Sequence, residues 1–286
     1  MRHSIARGVA ILLFLLMAIS PGWTADVENS PVVKVVIPGT QTRFLDLARQ
    51  FVPDLDGFAN TFTGQKFNPV RHIGGPDFAN EEVKTFGLFD VSHLTMKADG
   101  KNRLLVLFDF SQAADAAQGV AILALYDLSK DKPELLDAAD IGFDASTYFF
   151  DRALLPVSDT TDVILTLSSH FNANQNYATQ SMILVRNDKF ELIDSTSLLG
   201  ERNCGIDRQQ VIGYTANPAE GKPYAPIKVT VTDTATAIEE VCADLQSTKL
   251  GTTQVKTTYV WNAEKGRYLP DSDDMARLEK ENESRY

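Results

Sequence analysis

Phe150-Asp151-Arg152-Ala153-Leu154-Leu155-Pro156-Val157 opens the stretch that decides the fold class. After a polar turn comes the run Val163-Ile164-Leu165-Thr166-Leu167, then Met182-Ile183-Leu184-Val185, the turn Asn187-Asp188, and Phe190-Glu191-Leu192-Ile193. Short runs rich in β-branched and large apolar residues, divided by polar turns, read as strands. The same order precedes it: Phe89-Asp90, Leu104 to Phe108, Val120 to Tyr126, and Glu134-Leu135-Leu136. It also follows it: Ile206-Asp207, Ile227 to Val231, Thr257 to Trp261, and Arg267-Tyr268-Leu269. The opening aspartates lie 61 and 56 residues apart. The expected fold is therefore mainly β, with three repeats of about 60 residues, each a four-stranded antiparallel unit in a propeller-like arrangement. An irregular β-sandwich is the alternative. Continuous apolar runs such as Leu104 to Phe108 suit inner strands covered on both faces.

The sequence divides the chain into four segments. Residues 1–25 read as a secretory signal: Arg2 and Arg7 supply the positive start, and Val9 to Ile19 an apolar run too short to span a bilayer. The expected location is periplasmic or secreted, with no membrane insertion after signal removal. Residues 26–88 read as an N-terminal strand (Val32 to Ile37), a helix and an irregular segment packing on the repeats. In that helix Thr42 is the expected cap, and Phe44, Leu47, Ala48 and Phe51 share one face. Residues 89–270 form the repeat domain. Residues 271–286 are a charged C-terminal tail, expected to be a frayed helix or disordered. Within the third repeat, Thr236 and Glu239 have capping-box spacing ahead of a stripe containing Val241, Cys242 and Leu245.

Composition narrows the function. The net charge of −11 becomes −13 once Arg2 and Arg7 are removed with the signal, and basic residues nowhere cluster, so nucleic acid is excluded as a partner. Cys204 and Cys242, 38 residues apart, read as one disulfide in an oxidising compartment. By chain entropy such a bridge contributes up to about 4 kcal/mol.

Asp162-Val163-Ile164-Leu165-Thr166 leading to Met182-Ile183-Leu184-Val185-Arg186-Asn187-Asp188-Lys189-Phe190 resembles FG-GAP and VCBS-type β-propeller repeats. So does Thr258-Tyr259-Val260-Trp261-Asn262 leading to Gly266-Arg267-Tyr268. The resemblance covers about residues 89–270 and implies an exported protein used for recognition. The calcium loops of those blades have no counterpart here: Asp127 to Asp131 and Asn172 to Asn176 lack enough carboxylates, so calcium is not carried over.

No cofactor, metal or catalytic set is expected. His72, His93 and His170 lie in separate segments, and no nucleophile elbow, zinc-protease helix or phosphate loop occurs. Asp90, Asp151 and Asp207 recur at equivalent positions, which a repeated turn or cap explains. The loops Ser111–Gly119, His170–Thr179 and Thr234–Gly251 would emerge at one end of equivalent repeats. In the middle one, His170, Phe171, Asn172, Asn174, Asn176 and Tyr177 set aromatics beside planar amides, a chemistry suited to sugar or peptide. The expectation is a non-enzymatic recognition module for an envelope protein or glycan. The alternative is a periplasmic hydrolase acting on glycan or peptide through two facing carboxylates.

Overall fold

In the computed structural model the described residues are 28–29, 32–58, 61–78, 83–110, 118–203, 205–220, 223–238 and 250–285. The chain runs β1 (Glu28–Asn29), α1 (Phe44–Ala48), β2 (Asp56–Phe58), β3 (Thr61–Gly64), β4 (Phe86–Ala98), β5 (Lys101–Phe110), β6 (Val120–Asp127) and β7 (Glu134–Asp140). It continues β8 (Ser146–Pro156), β9 (Asp162–Asn172), β10 (Gln175–Arg186), β11 (Lys189–Asn203), β12 (Ile206–Ala216), β13 (Ile227–Ala237), β14 (Gly251–Asn262), β15 (Arg267–Pro270) and α2 (Asp274–Glu283). Two antiparallel sheets result, one in the order β2 to β7 with β1 added beside β4, the other an eight-stranded run from β15 to β8.

The mainly-β expectation stands, but three separate repeats do not emerge and the strands build no ring of blades. Gly205, at φ +81°, lets the chain turn between Asn203 and Ile206, and three residue pairs then tie β11 to β12. That junction merges what the sequence divides into second and third units into one sheet.

Three apolar cores show why strands with continuous apolar runs sit inside. In β5, Leu104, Val106, Phe108 and Phe110 face the core under α1, whereas Leu105 and Leu107 face the core shared with the second sheet. Ile164, Ile183 and Val185 reach that shared core from β9 and β10, and Val163, Leu165, Met182 and Leu184 fill the third core on the other side. Alternate residues of one strand thus serve two cores. Strands β4 and β5 lie against β8, β7 against β11, β8 against β12, and β11 against β15.

At the N-terminal side, α1 buries Phe44, Leu45, Leu47 and Ala48, but its N-cap is Arg43, not Thr42, with the Arg43 N–H donating to Asp46 Oδ2 at 2.8 Å. Val32 to Ile37 forms no strand beyond a single bridge from Val35 to Arg43. Of the two expectations for the C-terminal tail, a frayed helix or disorder, the structure shows a helix, and one that packs. Helix α2 buries Met275, Leu278 and Asn282, one side of a helix at i, i+3 and i+7, and packs on β11 and β14. Thr236 belongs to β13, and its hydroxyl donates to the Asp207 carbonyl. The rest of the helix expected there, and both members of the Cys204–Cys242 pair, lie outside the described residues. Among the described residues no helix is long and apolar enough to cross a membrane.

Candidate functional site

Strands β9 and β10 continue past their cores as a hairpin whose turn is Ala173-Asn174, Ala173 adopting φ +48°. Register pairs His170 with Tyr177 and Phe171 with Asn176. Since side chains alternate, the expected site is divided between the two faces of the hairpin. Phe171, Asn174 and Asn176 turn toward β11 and β12 and line a cleft of about 570 Å³. His170, Asn172 and Tyr177 take the other face. There His170 Nδ1 donates to Asp144 Oδ1 at 2.6 Å, and its ring stacks on Tyr177 at 4.6 Å between centroids.

The cleft exists because β11 and β12 part. Their ladder ends at Glu201–Arg208, and beyond it side-chain amides take over the backbone groups. Gln210 Oε1 accepts from the Leu199 N–H at 2.9 Å, and Asn282 of α2 donates from Nδ2 to the Ser197 carbonyl at 3.0 Å. Gln210 in turn donates to Asn282 Oδ1 at 2.9 Å and to Asp233 Oδ2 at 3.1 Å. Asp233 holds Arg208 through Nε at 2.9 Å and Nη2 at 2.8 Å, a two-point clamp that fixes the guanidinium plane on the face Arg208 shares with Glu201. Asn282, Asp233 and Gln210 are all buried, so the network is rigid and shielded.

Leu198 and Ala178 lie at the apolar bottom, where the third core opens to the cleft. Phe171 and Val211 are 72% and 62% exposed, large apolar groups left in solvent on strands from opposite sides of the cleft. Its charged lining is balanced: Arg202 and Arg208 against Glu201 and Asp207. The contributions of β11 and β12 were not singled out from the sequence. The only local signal was Gln209-Gln210, two adjacent amides in a strand-like run.

A second polar pair lies where β5 meets β8 of the other sheet. Asp90 of β4 is the register partner of Asp109 of β5. Burial pushes the Asp109 carboxyl up to about 7; the Thr147 N–H bond opposes the shift and the Asp90 charge adds to it. The recurrence of Phe-Asp also has a structural meaning other than a turn or cap. Phe89-Asp90 and Phe150-Asp151 fall at register shifts inside β4 and β8, where the pairing skips residues. Asp207 lies in β12, within 3.9 Å of Arg202. Among the described residues no group of three or more His, Cys, Asp or Glu side chains is disposed to hold a metal ion.

The fold and cleft define a class, a two-sheet antiparallel β protein with a polar cleft where one sheet splits. Beyond that class, no family model, curated protein or solved structure matches the chain.

Proposed function

We propose that this chain is an exported, non-enzymatic recognition module that binds an envelope protein or glycan in the cleft between the β9–β10 hairpin and β12. One observation carries the reading: fixed planar polar groups and two exposed apolar side chains converge on a concave site. The signal-like residues 1–25 support export. The same reading takes β4–β7, β8–β11 and β12–β15 as three related four-strand units, supported by the Phe-Asp register shifts of the first two.

The test is affinity capture from envelope extract on immobilised protein lacking residues 1–25, run beside the double variant Phe171→Ala/Asn176→Ala. A component retained by the parent and released by the variant is the expected result. Equal retention by both would remove the cleft from consideration. The hydrolase reading is favoured by one feature only, the Asp90–Asp109 pair. It predicts glycan or peptide cleavage that Asp109→Asn abolishes.

A further inference from the structure

We infer that the ligand of this cleft is a neutral glycan chain whose sugar ring lies on Phe171. The inference rests on the recognition reading above and names its ligand.

Charge is the first argument. Two arginines and two carboxylates line the cleft, and Arg208 is already clamped by Asp233, with Glu201 3.9 Å away. A polyanion would find no uncompensated guanidinium at Arg208, and the overall charge of −11 repels it at long range. A polycation would compete with arginines already paired to the same carboxylates. An uncharged ligand meets neither penalty.

Hydrogen-bonding capacity is the second. Asn174, Asn176 and Gln209 each present an acceptor oxygen and a donor NH₂, the complement of a hydroxyl, which both donates and accepts. Asp233 holds Arg208 and is itself held by Gln210, which bonds Asn282, so the rotameric cost of ordering Arg208 falls on folding and not on binding.

Shape is the third. A protein partner commonly covers about 800 Å² per side around an apolar centre. Here the exposed apolar groups of the site are Phe171 and Val211, and the space between them is concave and amide-lined. A flat sugar face can stack on Phe171 while its hydroxyls reach the amides below.

The experiment uses ¹⁵N-labelled protein lacking residues 1–25. It is titrated with cellohexaose, chitohexaose and maltohexaose, and in parallel with polygalacturonate and an uncharged Gly/Ser/Thr peptide. At least one neutral hexaose should give saturable shifts at the Asn174 and Asn176 side-chain amides and at the Gly200 backbone. Its Kd should change less than about twofold between low and high salt, because no ion pair forms. Phe171→Ala should weaken it about tenfold, the scale of a lost aromatic contact. Shifts at these residues with the peptide alone would overturn the glycan assignment, shifts with polygalacturonate alone would overturn its neutrality, and either would leave the recognition reading standing. Glycan shifts that avoid the cleft, or that survive Phe171→Ala, would overturn the site. If no probe perturbs the cleft and envelope capture is also unaffected by the Phe171→Ala/Asn176→Ala variant, both readings fall.

Discussion

At Asp109, burial beside the second sheet pushes the carboxyl up to about 7, so the folded chain keeps a proton that the unfolded chain gives up near its ordinary value of 3.8. A raised carboxylate costs stability as pH rises: the loss begins above the unfolded value and is complete above the folded one. Between about pH 4 and 7 this group therefore makes the protein progressively less stable, by on the order of 4 kcal/mol in full. Asp109→Asn keeps an acceptor for the Thr147 N–H and has no charge to desolvate. Thermal melts of parent and variant should coincide near pH 4, with the variant several degrees higher at pH 8. Equal melting temperatures at pH 8 would mean that the Asp109 site is wetter than its packing indicates. At the hairpin tip, Ala173 holds φ +48°, a conformation that a Cβ disfavours. Ala173→Gly should raise stability by roughly 0.5–1 kcal/mol in urea unfolding, and a loss of stability would contradict the left-handed assignment.

Helix α2 and the parting of β11 from β12 depend on one another. Asn282 is fully buried, donates to the Ser197 carbonyl and exchanges hydrogen bonds with Gln210, so it closes a gap that no strand fills. Asn282→Ala leaves the Ser197 carbonyl and Gln210 without this partner, a loss of about 2 kcal/mol in urea unfolding. An unchanged midpoint would show that water takes the place of the amide. The apolar anchors of the helix, Met275 and Leu278, were present in the sequence as an i, i+3 pair within a charged segment. Two residues are a weak stripe, and the third buried position is polar, which is why hydropathy alone makes the segment look like a solvated tail.

In the whole molecule, interior strands share their faces between neighbouring cores, so damage to one core is carried to the next. Trp261, the sole tryptophan after residue 25, packs against the third core, while Phe108 is buried in the first. If the sheets unfold as one body, Phe108→Ala should lower the melting temperature read by Trp261 fluorescence together with that read by far-UV circular dichroism, at a cost of about 3–5 kcal/mol. A fluorescence transition that stays in place while the circular dichroism shifts would show that the two sheets unfold independently.

The strands were legible because an apolar run of Leu104 to Phe108 or Ile183 to Val185 can satisfy its backbone and bury both faces only inside a sheet. The amides and aromatics of His170–Tyr177 were legible as residue types, but the segment reads as a loop where the structure pairs β9 with β10. The division of its side chains between two faces is not written in the local sequence, because it depends on which face each register pair presents to a neighbouring layer.

Local sequence determined the mainly-β class, most strand runs, the α1 stripe and the amide-rich composition of His170–Tyr177, which the structure turns from an expected loop into paired strands; each follows from periodicity and residue type over a few neighbours. Tertiary structure alone decided that the strands form two sheets and no ring, that Gln210 and Asn282 replace a broken ladder, and that Arg208 is held at a cleft. These features join residues 11 to 85 positions apart, from Leu199 with Gln210 to Ser197 with Asn282. Their energy comes from desolvated partners that only the folded chain brings together.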